Sequence, residues 1–97
     1  MIIVMATMVV KPEKKGALIP FTLELILKTR DEKGCISYEL LDSTENDCRK
    51  IFVERWETME ALNAHMKTDH FINFGKKTEG FFAKAMDIKL YDASEIK

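Results

Sequence analysis

His65 and His70 are the only histidines in this chain, and Trp56 is its only tryptophan. All three fall in one run, FVERWETMEALNAHMKTDHFINF, residues 52–74. Imidazole is the side chain that gains and loses a proton near neutral pH, so two of them in one run raise the prospect of acid–base chemistry. Thr58 is a good N-cap for a helix over 59–66, with Glu60 in its first turn. Thr68 caps a restart, with Asp69 in the first turn that follows. His65 then stands near the negative end of a short helix, where the macrodipole favours imidazolium. His70 stands at the positive end of the next, which favours the neutral ring. His65 also follows Ala61 and Leu62 at helical spacing and so borders the apolar stripe. Two imidazoles pushed apart in this way suit proton transfer. The plainer reading is a helix junction with two partly exposed histidines bonded to loop carbonyls, and on spacing alone it weighs more.

The neighbours of the histidines are read the same way. Trp56 ends a strand and offers either a flat wall for an aromatic ligand or an ordinary core or interface residue. Tyr38 and Phe52 line the same space if the strand faces agree, Glu54 shares a face with Phe52 and Trp56, and Phe74 falls at a cavity edge. A metal site would need a further ligand converging on the two histidines. Glu54, Glu60 and Asp69 are available, but His65 and His70 lie five apart across a capped break and match no metal spacing. No metal or other cofactor is expected. No glycine-rich phosphate loop and no C-x-x-C occurs.

The elements that must position these groups follow from pattern. Residues 2–10 are rich in β-branched side chains and apolar on both faces, which predicts a strand buried from both sides. Residues 15–31 carry Leu18, Phe21, Leu25 and Ile26 at helical spacing. Pro20 interrupts them, so the helix either begins near it or kinks there. Gly34 is a left-handed stop. Residues 35–42 and 49–56 are strands joined by the turn residues STENDC. Phe71, Phe74, Thr78, Phe81 and Phe82 continue the second helical layer. Residues 85–91 alternate as a half-buried strand, with Met86, Ile88 and Leu90 on one face. The tail 92–97 is expected to be loose.

The order β-α-β-β-α-β is that of a ferredoxin-like split βαβ, an α+β fold with a four-stranded antiparallel sheet and helices on one face. The two-sided apolar first strand predicts a homodimer packed sheet to sheet. Ninety-seven residues make one domain, 1–97. The 15 basic and 16 acidic residues are mixed along the chain, with no basic stripe, which argues against nucleic acid as a partner. The apolar opening MIIVMATMVV is too short to span a bilayer and lacks signal-peptide features, so a cytoplasmic chain without membrane partners is expected. Cys35 and Cys48 are separated by most of a hairpin strand, ~25 Å at ~3.3 Å per residue, and read as free thiols.

GCISYELL followed by residues 52–74 resembles the antibiotic biosynthesis monooxygenase family. The family's G-C-x-x-Y strand matches Gly34, Cys35 and Tyr38, and its E-x-W strand end matches Glu54 and Trp56. Its threonine cap matches Thr58, its A-L-x-x-H helix Ala61, Leu62 and His65, and its T-x-H-F restart Thr68, His70 and Phe71. Family members resembling this chain are dimers with a pocket between sheet and helices. Some oxidise quinols or polycyclic aromatics without a cofactor, some degrade haem, and some isomerise a phosphorylated dione. Gly75 stands where the haem degraders place an iron-ligating histidine, and Thr7 stands near their first-strand asparagine. Residues 15–31 lack the first-helix histidine of the isomerases. The resemblance therefore implies a cofactor-independent monooxygenase acting on a quinol or similar aromatic phenol with dioxygen. His65, His70 and Trp56 would be catalytic, and Tyr38, Phe52, Glu54 and Phe74 would bind substrate. The alternatives are isomerisation of a small dicarbonyl metabolite and a non-catalytic module that holds a hydrophobic small molecule.

Overall fold

The computed structural model describes residues 1–97. Strand β1 (Ile2–Val9) leads through a single 3-10 turn at Pro12–Lys14 into helix α1 (Lys15–Arg30). Strands β2 (Cys35–Asp42) and β3 (Arg49–Trp56) form the expected hairpin, and α2 (Met59–His65), α3 (Asp69–Lys77) and β4 (Asp87–Asp92) follow. The sheet order is β2-β3-β1-β4, with every neighbouring pair antiparallel. This is the ferredoxin-like arrangement, an α+β fold with its helices on one face of the sheet.

Period-two geometry sorts the strands into two faces. On β1, Val4, Ala6 and Met8 are buried, and on β3 so are Phe52, Glu54 and Trp56. Register places Val4 opposite Glu54, Ala6 opposite Phe52 and Ile2 opposite Trp56, so these side chains share the face that meets the helices. Helix α1 contributes Leu18, Thr22, Leu25, Ile26 and Thr29, one stripe at helical spacing. Pro20 lies inside α1 rather than at its start, because the helix begins at Lys15. The opposite face of β1 is only half covered in the single chain: Ile3, Thr7 and Val9 are intermediate and Met5 is exposed.

Local chemistry closes the connections. In the β2–β3 turn the Ser43 hydroxyl accepts from the backbone N–H of Glu45 and Asn46, and Asn46 Oδ1 accepts from the N–H of Cys48. Thr58 Oγ1 accepts from Ala61 N–H at 3.1 Å and Thr68 Oγ1 from Phe71 N–H at 3.3 Å, so both helices carry the caps their sequence specifies. No helix is long and apolar enough to cross a membrane. Cys35 and Cys48 are free thiols.

Two expectations are corrected. Helix α3 stops at Lys77, so Phe81 and Phe82 are not on it. Gly80, at φ 82°, turns the chain beyond α3, and the segment after it returns to β1, where Val10 bridges Phe82. The last strand spans Asp87–Asp92 rather than 85–91 and is exposed along its length rather than half buried. Ile88 and Leu90 do share the inner face, opposite Ala6 and Val4, but no helix covers them.

The turn between α1 and β2 is held tightly against α2. Gly34 has φ 85°, and a Cβ on it would stand 2.5 Å from Cβ of Ala61. Glu57 N–H donates to Gly34 C=O at 2.8 Å, tying the start of β2 to the end of β3. Gly34→Ala adds a left-handed penalty of ~1–2 kcal/mol to an overpacking cost of ~1–3 kcal/mol. Urea denaturation is expected to show a loss of about 3 kcal/mol, partly recovered by adding Ala61→Gly. A variant as stable as the parent would mean that α2 does not approach this turn as closely as described.

Candidate functional site

A cavity of about 340 Å³ lies between the sheet and the helices. Its walls are mostly apolar: Val4, Ala6, Leu25, Leu62, Phe71, Phe82 and Met86 are among them. Tyr38, Phe52, Glu54, His65 and Phe74 line it as well. Five of the seven residues singled out by sequence therefore meet in one space. Ile88 and Leu90 are about half exposed yet line the same cavity, so it opens to solvent along β4.

His65 is the last residue of α2 and is 1% exposed. The rings of Trp56, Phe71 and Tyr38 lie with centroids 4.8, 5.0 and 5.5 Å from its own. Its Nδ1 donates to Glu32 Oε2 at 2.6 Å, and its Nε2 is buried without a hydrogen-bond partner. His70 Nε2 donates to the same Glu32 oxygen at 2.7 Å. Thr68 ties the two histidine-bearing helices together, donating to His65 C=O at 2.7 Å while capping α3. Burial holds the His65 imidazole below its ordinary pKa, and the hydrogen bond and charge of Glu32 only partly offset it. The helix-end expectation for His65 is thus reversed. A dipole worth a few tenths to ~1 kcal/mol at an exposed terminus yields to desolvation of the whole ring. The neutral ring carries its proton on Nδ1 and keeps a lone pair on the unpartnered Nε2.

Glu54 is the one carboxyl that lines the cavity and is 5% exposed. Burial lifts its pKa to about 7, against the Trp56 N–H bond that lowers it, and the nearby Glu32 charge adds to the rise. Trp56 Nε1 donates to Glu54 Oε1 at 3.0 Å. Trp56 is 0% exposed and is not part of the cavity wall, so it does not offer the ligand a flat surface. It stands behind the wall, one edge fixing Glu54 and its ring set against His65. His70 likewise stands outside the cavity; its ring centroid lies 6.1 Å from that of His65, and Glu32 bridges the two by hydrogen bonds. Burial raises the Tyr38 phenol well above its ordinary range, so it stays protonated and able to donate.

Glu32 escapes sequence inspection. It sits in the α1–β2 turn, 33 residues before His65, and nothing in its spacing marks it. Of the acidic residues considered as partners for the histidines, Glu60 and Asp69 make no bond to either ring, and Glu54 reaches Trp56 instead. Glu32, His65 and His70 present ligand atoms that all lie within 4.8 Å of one another, a set able to hold a cation.

A family model for antibiotic biosynthesis monooxygenase matches residues 1–77. An uncharacterised protein of Synechocystis sp. is 35% identical over 97% of this chain, which spans 64% of that protein's length. YcnE of Bacillus subtilis is 27% identical over 98% of this chain and 100% of its own. A crystal structure of an antibiotic biosynthesis monooxygenase superposes with a TM-score of 0.92 at 29% identity, covering 98% of this chain and 100% of that one. A conserved protein of Methanosarcina mazei superposes with the same score at 30% identity, covering 96% and 92%.

Proposed function

The chain belongs to the antibiotic biosynthesis monooxygenase family, and from that premise we propose that it oxidises a quinol or similar aromatic phenol with dioxygen, drawing the electrons from the substrate itself. The observation that carries the reading is His65, which lines a greasy cavity and has a buried Nε2 without a hydrogen-bond partner, together with the buried carboxyl of Glu54 in the same lining. A cavity of about 340 Å³ falls within the ~300–1,000 Å³ common for small-molecule sites.

His65 Nε2 accepts the substrate hydroxyl proton, and Glu32 stabilises the imidazolium through the Nδ1 proton it already holds. The resulting phenolate is electron-rich enough to reduce dioxygen. One oxygen atom ends in the ring and the other in water, so a naphthoquinol plus O₂ gives a hydroxynaphthoquinone plus H₂O. Tyr38 and protonated Glu54 donate to the substrate oxygens, and Phe52 and Phe74 pack its ring. The apolar wall excludes water from the anion. His70 and Trp56 act at one remove, by fixing Glu32, His65 and Glu54. Two free thiols fit a reducing, cytoplasmic setting.

The test is dioxygen uptake by metal-free protein with a panel of reduced naphthoquinols, autoxidation subtracted. Saturable uptake supports the reading. Uptake at the blank level across the panel, with the oxidised quinones still bound, would replace it with a binding module. The same reading includes a homodimer through the outer sheet face, where Met5, Leu41 and Tyr91 are exposed and Ile3, Val9 and Val53 half buried. Sedimentation at twice the chain mass is the expected result, and a monomer at micromolar concentration would remove that part.

A further inference from the structure

We propose that Glu32, His65 and His70 form a site for a divalent metal ion of the zinc class, and that its occupancy reverses the hydrogen-bonding polarity of His65 toward the cavity. The three side chains come from three separate elements: the α1–β2 turn, the end of α2 and the first turn of α3. They converge so closely that one carboxylate oxygen serves both rings, at 2.6 and 2.7 Å. Two imidazoles and one carboxylate are a donor set that borderline ions such as Zn²⁺ and Co²⁺ accept, with a further position left for water.

The spacing needs a local rearrangement of the side chains. Ligand bonds of ~2.0 Å in tetrahedral geometry place donor atoms about 3.3 Å apart. Each nitrogen must therefore withdraw by about 0.6–0.7 Å from the carboxylate oxygen, while the two nitrogens, now within 4.8 Å of each other, settle at that same spacing. The side chains of Glu32 and His70 are 12% and 15% exposed, which gives an ion a route in without crossing the cavity.

The chemical consequence follows from the tautomer. Without the ion, His65 carries Nδ1–H and presents the Nε2 lone pair to the cavity. An ion takes the lone pair of Nδ1, so that nitrogen loses its proton and the neutral ring holds one on Nε2 instead. The cavity nitrogen becomes a donor and can no longer accept a proton. This effect on turnover rests on the function proposed above; the site itself does not.

Titrating the full-length, metal-free protein with Co²⁺ tests the site without reference to activity. The expected result is the visible absorption of four- or five-coordinate Co²⁺ at one ion per chain, displaced by Zn²⁺. It should be lost in His70→Ala and in Glu32→Gln and kept in Cys35→Ser, whose thiol stands three residues after Glu32 in the chain. No absorption with stoichiometric Co²⁺, or absorption that survives both His70→Ala and Glu32→Gln, would overturn the proposal. Zn²⁺ should also depress quinol-dependent dioxygen uptake toward the level of His65→Ala, with recovery on chelation. Co²⁺ binding without any uptake by the metal-free protein would leave the site standing and remove the monooxygenase reading. Uptake without Co²⁺ binding would do the reverse.

Discussion

Turnover of a reduced naphthoquinol is expected to fall by about 10²–10⁴-fold in His65→Ala, the usual worth of a positioned general base. The size of the effect follows from the surroundings of the ring. A nitrogen that is buried, uncharged and unpaired does not exchange its hydrogen bond with water, so nothing in the cavity replaces it. The variant also removes a buried ring, which makes a fold check by circular dichroism necessary. Free imidazole separates the two roles, because it can enter the space vacated beside Trp56 and Phe71 and restore part of the rate. A merely structural histidine would show no such rescue. Glu32→Gln should give a smaller loss, since the amide oxygen can still accept from Nδ1 but carries no charge to offset the imidazolium. Unchanged turnover in His65→Ala would end its assignment as the base.

Glu54→Gln is expected to stabilise the protein by about 3 kcal/mol at pH about 8.5 and to have little effect near pH 4.5. The folded state holds the Glu54 proton up to about 7, whereas the unfolded chain releases it near the ordinary 4.5. Between those values unfolding releases a proton, so the parent loses stability as pH rises through this window, and the loss is complete above about 7. At ~1.4 kcal/mol per pH unit the interval gives the stated magnitude. Glutamine does not ionise and keeps an oxygen for the Trp56 N–H, so it escapes the loss. Urea denaturation of both proteins across the range is the measurement. A difference that stays constant with pH would show that Glu54 is not buried in the way described. A gain that grows with pH would mean that this carboxylate is kept at the expense of stability, as a reacting group is.

The strands, both threonine caps and the hairpin turn could be read from the sequence because each is settled within a few residues. Alternation places Phe52, Glu54 and Trp56 on one face whatever the rest of the chain does. Glu32 could not be read that way. Its contact with His65 depends on the start of β2 lying beside the end of β3, so that the turn before one strand meets the helix after the other. That adjacency belongs to the topology. His65 failed differently: its helix position was right, but burial outweighed the dipole, and burial depends on three aromatic rings from β2, β3 and α3. Phe81 and Phe82 kept helical spacing with Phe74 by coincidence, and Gly80 between them was the signal that the helix had ended. Trp56 was placed on the correct strand face, but the faces alone do not say which residues of a layer reach the cavity and which stand behind them.

The uncovered inner edge of β4 separates two tasks that many enzymes combine on the same residues. The ionisable side chains Glu54, His65 and Glu32 come from β3, α2 and the α1–β2 turn, while Ile88 and Leu90 at the opening belong to an edge strand that pairs with β1 alone. Substitutions there can widen, narrow or reshape the entrance without moving His65 or Glu54. Such a layout allows the entrance to be remodelled through one short peripheral strand while the side chains at the inner end of the cavity stay in place.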